Sequence, residues 1–278
     1  MRDASRSDQL TITANKPRHK PNKPLLNWLS SCLFTLLLIT TSTTWAASTV
    51  NHPAIGIHGN DNRIVVDGSK APWQAIGQII TADLFACTGV LISPNHVLTA
   101  AHCIWNKQTN MLMPADYIRF ETGYHRETYL AARAVKRIKL PAQYQLKNDQ
   151  PISLNNLAND WAILELVSPI NNITPIPLNA FSAEKLLTTG QKAAIIQAGF
   201  SGDRRYILTA NEHCKMIGKH QKLPLVTHDC DAIKGDSGSP LLIKREGCFQ
   251  VIAVLVGAQS LPSGTSTGFA VIVPPMLR

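Results

Sequence analysis

Three short stretches carry side chains that can make and break acyl bonds: Gly235-Asp236-Ser237-Gly238-Ser239-Pro240, Val97-Leu98-Thr99-Ala100-Ala101-His102-Cys103 and Asn159-Asp160-Trp161-Ala162-Ile163-Leu164-Glu165-Leu166. A serine hydroxyl is a weak nucleophile. It needs a neighbouring base and donors for the oxyanion that its attack creates. Glycines on either side of Ser237 let the backbone turn so that the amides of Gly235 and Ser237 converge on one pocket. An ordinary Gly/Ser turn has the same composition, so this stretch gains meaning only from the other two. It is not the α/β-hydrolase elbow, which requires glycine where Ser239 stands. His102 follows an apolar strand and adjoins Cys103, sixteen positions after Cys87. A bridge between those cysteines would hold the imidazole still, as a general base requires. Asp160 leads into an apolar strand, where a buried carboxylate needs a hydrogen-bond donor. His102 can supply that donor, and the carboxylate would then fix its tautomer and stabilise the imidazolium. The candidate catalytic set is therefore His102, Asp160 and Ser237, with Gly235 and Ser237 as oxyanion donors.

These groups have to be held by strands. From Arg63 onward the chain is a series of short β-branched or aromatic runs bounded by Gly, Pro, Asn, Asp or Ser. Strands are expected at 64–66, 75–80, 89–92, 97–99, 117–121 and 130–138. The second half adds 162–166, 193–198, 205–209, 213–217, 240–243, 249–256 and 268–273. Helix-like scraps are confined to Ala100–Trp105 and Pro275–Arg278. Frequent short strands without long helical periodicity or internal repeats point to an all-β sandwich or barrel. The polar stretch Lys147–Asn159 reads as a loop where two halves join.

The amino terminus reads as an address. Residues 1–24 are polar and basic, an apolar core runs from about Leu25 to Ile39, and Thr44-Trp45-Ala46-Ala47-Ser48 offers a small-residue cleavage site. That tripartite pattern describes a secretory signal peptide, residues 1–46. A retained signal anchor is the alternative, but the apolar run falls short of the ~20 residues that a spanning helix needs. A lipid anchor at Cys32 does not fit, because the apolar core continues past it. The expected location is the medium or the periplasm, with no stable membrane anchor after cleavage near Ala46/Ala47.

Export changes the charge and cysteine arithmetic. The whole chain carries 27 basic and 18 acidic residues; residues 1–46 hold six and two of these, leaving 21 − 16, or +5, on the mature part. With no Lys/Arg cluster interleaved with aromatics, a nucleic-acid partner is excluded. Outside the cytoplasm disulfides persist. Cys87–Cys103 and Cys214–Cys230 are the expected pairs, each worth ~3 kcal/mol, and Cys248 is left as an expected buried thiol. Neither a metal-ligand motif nor a cofactor loop is present, since the nine histidines are scattered.

TAAHC, DWAILEL and GDSGSP, in the order His, Asp, Ser, resemble the chymotrypsin-like (trypsin-like) serine proteases from about Arg63 to the carboxy terminus. Arg63-Ile64-Val65-Val66-Asp67, the run Pro72–Gln78 and His228-Asp229-Cys230-Asp231-Ala232 look more narrowly like the bacterial trypsin-like and glutamyl-endopeptidase-like branch. The resemblance implies an all-β fold over residues 64–278. It would consist of two six-stranded antiparallel β-barrels joined at about 145–190, with the active site in the cleft between them. It implies a monomeric endopeptidase acting on protein or peptide substrates. Other readings of the same chain are a catalytically idle homologue that serves as a binding protein, an esterase, and an envelope quality-control protease, which would need a further peptide-binding domain.

Specificity and activation leave two readings each. Asp231, six residues before Ser237, stands where trypsin-like members carry the pocket acid, and Gly257 and Gly268 match the small wall positions. Together they imply cleavage after Arg or Lys. Alternatively Asp231 is a structural turn residue after Cys230, and Ile233 stands where such enzymes usually carry a cysteine. Val254 replaces the histidine typical of glutamyl endopeptidases, against a glutamate preference. Residues 47–63 form either a short propeptide, whose removal frees Ile64 to pair with Asp236, or an N-terminal extension. Val66-Asp67 in place of the usual Gly-Gly argues against the first reading, and Asp236 is then a local hydrogen-bond acceptor.

Overall fold

Six strands of the first half carry the buried side chains of one apolar core and close on themselves. In the computed structural model the described residues are 56–81, 86–106, 108–126, 128–144, 153–178, 195–261 and 265–273. The expected signal peptide, Cys32, residues 145–152 and 179–190 of the expected junction and the run Pro275–Arg278 lie outside them. The first half contains β1 (Ile64–Val65), β2 (Ile76–Thr81), β3 (Ala86–Ser93), β4 (His96–Thr99), β5 (Trp105–Asn106), β6 (Met111–Leu112), β7 (Ile118–Thr122), β8 (Ala131–Lys139), α1 (Leu154–Ala158) and β9 (Ala162–Leu166). Strands β2, β3, β4, β9, β8 and β7 form a closed antiparallel barrel, β7 returning to pair with β2. Ile76, Ile79, Val90, Leu98, Phe120 and Leu164 are fully buried in its core. Gly77 is required there, because a Cβ would lie 2.2 Å from the Glu121 carbonyl and 2.6 Å from the Phe120 ring.

The second half contains β10 (Ile195–Gly199), β11 (Thr209–Cys214), β12 (Met216–Lys219), β13 (Leu225–His228), β14 (Pro240–Arg245), β15 (Cys248–Ser260) and β16 (Ser266–Val271). With β1 at one edge they form an eight-stranded sheet, in the order β1-β11-β10-β14-β15-β16-β13-β12. Strands β11 and β12 lie near opposite ends of that order, yet only Lys215 separates them. The sheet must therefore curl until its ends meet. Across the seam the Asp229 N–H donates to the Lys215 carbonyl at 3.1 Å, and the Cys214–Cys230 disulfide ties the ends covalently. The first of the two expected barrels is thus closed by ladder bonds. The second is a curled sheet whose ends the chain itself joins. A second apolar cluster, including Ile195, Met216, Val226, Leu241, Ile252 and Leu255, packs within this half.

Several local expectations are corrected. Residues 205–209 do not form a strand: the chain turns through 201–207, with Arg204 N–H donating to Ser201 O and Ile207 N–H to Arg204 O. The Gly202-Asp203 pair sets that turn, and β11 starts only at Thr209. The expected strand 213–217 breaks at Lys215, where the sheet seam falls. The end of the expected loop 147–159 is the short helix α1, capped by the Ser153 side chain, which accepts the Asn156 N–H at 3.2 Å. The helix-like stretch at Ala100–Trp105 is a 3-10 turn, Ala101–Ile104. Cys248 is exposed, not buried, because it opens β15 directly after the Glu246-Gly247 hairpin turn. Among the described residues no helix is long and apolar enough to cross a membrane.

The Cys214–Cys230 staple spans 16 positions. Its removal by paired Cys→Ala substitution is expected to lower the unfolding free energy by about 2–4 kcal/mol in urea denaturation. Cys248→Ser, at an exposed site, should change it by no more than about 0.5 kcal/mol.

Candidate active site

Strand pairing brings the histidine and the aspartate together. Antiparallel β4 and β9 end with Thr99 opposite Ala162, so His102, just past one strand, meets Asp160, just before the other. His102 lies in the 3-10 turn Ala101–Ile104, pinned to β3 by the Cys87–Cys103 disulfide. Asp160 follows α1, its N–H donating to Leu157 O at 3.1 Å. Its buried carboxylate grips His102 at two points: Oδ1 accepts the His102 backbone N–H at 2.8 Å, and Oδ2 lies 2.7 Å from Nδ1. A carboxylate acceptor there puts the proton on Nδ1 and leaves Nε2 free of it, the tautomer a base needs. Tyr144, which the sequence reading did not single out, is buried beside this pair. Burial, and then the Asp160 charge, push its phenol well above the ordinary 10.

The nucleophile stretch comes from the other half, between β13 and β14, and is fastened to the barrel through Thr88 on β3. The Thr88 N–H donates to the Ser237 carbonyl at 2.9 Å, and its Oγ1 donates to the Gly235 carbonyl at 3.1 Å. The same Oγ1 accepts the Phe200 N–H at 2.9 Å, while the Thr88 carbonyl accepts the Thr99 hydroxyl at 2.8 Å. Every polar group of a fully buried residue is thereby used. The two glycines are obligatory. Gly235 has φ +103, and a Cβ on Gly238 would lie 2.2 Å from the Thr88 carbonyl. The amides of Asp236, Gly238 and Ser239 donate to protein carbonyls. Among the described residues those of Gly235 and Ser237 have no such acceptor, which suits them to an incoming anion. Thr88 was missed because its only sequence signal is its place after Cys87.

A cavity of about 230 Å³ opens beside Ser237, lined by Ala232, Ile233, Lys234, Leu255, Gly257 and Ala258. Gly257 is on this wall, and nothing lies within 4 Å of where its Cβ would be. Gly268 instead makes room for a buried histidine: a Cβ there would sit 2.1 Å from the His228 ring. Burial pushes the His228 pKa down to about 3, so its imidazole is neutral. Asp231 is not among the lining residues. It is fully buried, and both its oxygens accept backbone N–H groups, from His58 at 2.6 Å and Asn62 at 2.7 Å, with the Asn211 side chain at 3.2 Å. The carboxylate expected at the pocket floor faces the amino-terminal segment.

Asp236 is equally enclosed. It accepts the Ser201 hydroxyl at 2.8 Å and the Ile233 N–H at 2.8 Å, and Gly199 allows its close approach. Burial pushes its pKa up to about 6, against the pull of the Ile233 and Ser201 bonds.

The family described as Trypsin matches residues 62–276. The chain is 26% identical to vitamin K-dependent protein C of Rattus norvegicus over 220 residues, covering 70% of this chain and 45% of that one. It is 25% identical to the proclotting enzyme of Tachypleus tridentatus over 229 residues, covering 72% of this chain and 60% of that one. The chain thus spans about half the length of these curated relatives. A solved Glu endopeptidase in complex with MPD superposes with TM-score 0.62 at 20% identity, covering 79% of this chain and 94% of the other, which supports the fold alone.

Two outcomes follow from this geometry. Thr88→Val keeps the shape but leaves the Gly235 carbonyl and Phe200 amide unpaired. It should cost about 1–3 kcal/mol in urea unfolding and lower kcat about tenfold or more, equivalent to ~1.4 kcal/mol of barrier. The Asp236 pKa, raised in the fold from the ordinary 3.8 to about 6, gives a stabilising contribution that is complete below pH 3.8 and lost as pH rises through about 6. The stability of the parent chain minus that of Asp236→Asn should therefore fall by about 2–3 kcal/mol between pH 4 and 7.

Proposed function

The chain belongs to the trypsin family, and on that premise we propose that it is an exported serine endopeptidase cleaving peptide bonds in proteins or peptides. The observation that carries the reading is the two-point hold of Asp160 on His102, at 2.8 and 2.7 Å. One oxygen fixes the His102 backbone and the other orients its imidazole, a division of labour that a carboxylate kept only for stability would not need. Ser237 Oγ attacks the scissile carbonyl while His102 Nε2 takes its proton; Asp160 stabilises the imidazolium that results. The amides of Gly235 and Ser237 receive the oxyanion. His102 then delivers the proton to the leaving amine, and water, activated by the same imidazole, releases the acyl group from Ser237.

Export is supported by the amino-terminal sequence pattern and by two disulfides, which persist in oxidising compartments. The Arg/Lys preference implied by Asp231 is not supported by the site geometry. An arginine or lysine entering the cavity would shed water without meeting a carboxylate, at an effective cost of several kcal/mol for an unpaired ion. Uncharged side chains suit the Ala232, Leu255 and Gly257 walls.

Fluorogenic peptides that differ only in the residue before the scissile bond (Arg, Lys, Glu, Phe, Ala) test both parts. Turnover by the protein from Ala47 should vanish in Ser237→Ala, and kcat/KM after an uncharged residue should at least match that after Arg. Absence of Ser237-dependent turnover on these peptides and on casein would sink the peptidase reading.

A further inference from the structure

We propose that Gly56–Arg63 is a permanent brace of the substrate pocket, retained in the active enzyme, with Asp231 and Arg63 as its two anchoring, positioning residues. The inference rests on the peptidase reading and names how its site is kept in order. The segment touches the pocket frame from behind at several points. The Ala232 N–H, on the cavity wall, donates to the Gly56 carbonyl at 2.8 Å. Gly56 has φ +102, and a Cβ there would fall 1.8 Å from the Ala232 carbonyl, so no other residue fits this contact. His58 Nδ1 lies 2.7 Å from the Ser266 carbonyl, and the Ser266 hydroxyl donates to Gln259 O at 3.1 Å. That links the brace to the β15–β16 hairpin, of which Gly257 and Ala258 form the cavity side. Asp231 collects the His58 and Asn62 N–H groups between these contacts. A buried carboxylate is tolerable because those donors replace its water. The brace and the acid therefore need each other.

At its other end Arg63 is only 8% exposed. Its guanidinium donates to Asp61 Oδ2 at 2.8 Å and Asp203 Oδ2 at 2.9 Å, and Arg204 joins Asp61 at 2.8 Å. A processing peptidase that reads arginine could not take hold of this side chain without breaking both pairs. Beyond it, Ile64 and Val65 pair with Ala210 and Thr209 as β1. Asp236, the acceptor that a freed Ile64 amine would seek, already holds Ser201 and Ile233. Arg63 and its partner Asp203 act on Asp236 in opposite senses, so the Ser201 and Ile233 bonds are what hold that carboxylate in the uncut chain. The acceptor for a new amino terminus is thus already engaged before any cut after Arg63.

The test begins with the secreted protein labelled at its active serine by a fluorophosphonate and weighed intact. Labelled species that start at or before Gly56 are expected. Labelled species that all start at Ile64 would overturn the brace while leaving the peptidase reading untouched. No Ser237-dependent label on folded protein would overturn both. Asp231→Asn in the chain from Ala47 gives the second readout. KM should rise about tenfold at nearly constant kcat, equally for every peptide of the panel. Selective loss of Arg and Lys turnover would instead make Asp231 the pocket acid and defeat the proposal. If that variant fails to fold, Gly56→Ala must reproduce the uniform rise in KM, and unchanged KM there refutes the brace.

Discussion

A nucleophile on one sheet and its base on another can work together only if the two sheets cannot slide past each other. Here that constraint passes through one buried hydroxyl. Thr88 leaves the barrel with its N–H on Ser237, its Oγ1 on Gly235 and Phe200, and its carbonyl on Thr99, two residues before the 3-10 turn that carries His102. Hydrogen bonds inside a protein cost little to keep and much to leave unmade. A slip of about 1 Å would orphan several buried groups at once, so the relative position of the Ser237 and His102 stretches is fixed by many penalties acting together. The disulfide at Cys87–Cys103 holds the two flanks of this junction in register.

Three buried aspartates surround it, and each is satisfied differently. Asp160 is held by one residue through both oxygens, which directs an imidazole. Asp236 is held by a hydroxyl and a neighbouring amide, which sets the turn that presents Gly235 and Ser237. Asp231 is held by two amides of a segment more than 160 residues away in sequence. Burying an ion costs several kcal/mol unless its hydrogen bonds are replaced. Each carboxylate therefore defines the backbone that supplies its donors, and loss of those donors would be felt at the site. Arg63 obeys the same logic: burial alone would lower its pKa, and the Asp61 and Asp203 pairs more than offset that.

The candidate catalytic set was legible in sequence because its signals are local: glycines around Ser237, a cysteine beside His102, an acid leading into an apolar strand. The first barrel was equally readable, since each of its six strands falls on an expected strand run. The second half was harder. Strand β13, only four residues long, was missed, and Lys215 looked like the middle of a strand because sheet curling is invisible to periodicity. Cys248 looked buried because the run after it is apolar, yet the hairpin turn before it leaves the tip in water. Tyr144 had no signal and Thr88 only its place after Cys87, since their roles depend on neighbours far along the chain.

Asp231 shows most clearly where sequence position ceases to determine chemistry. Its distance from Ser237 places it on the wall behind the cavity, and the structure agrees with that much. Which way a buried carboxylate points is decided by where its donors are, and no spacing within the serine loop records that. The donors here are the amides of residues 58 and 62, on the stretch open to reading as a propeptide or an N-terminal extension. The segment and the acid, each open to two readings in sequence, are two halves of one contact. On the reading proposed above, the pocket is assembled when the chain folds, and preference comes from the groups that line the cavity, Lys234 and Leu255 among them. Selectivity in such a site is set by shape and by the cost of stripping water from the incoming side chain, with no buried charge to reward a cation.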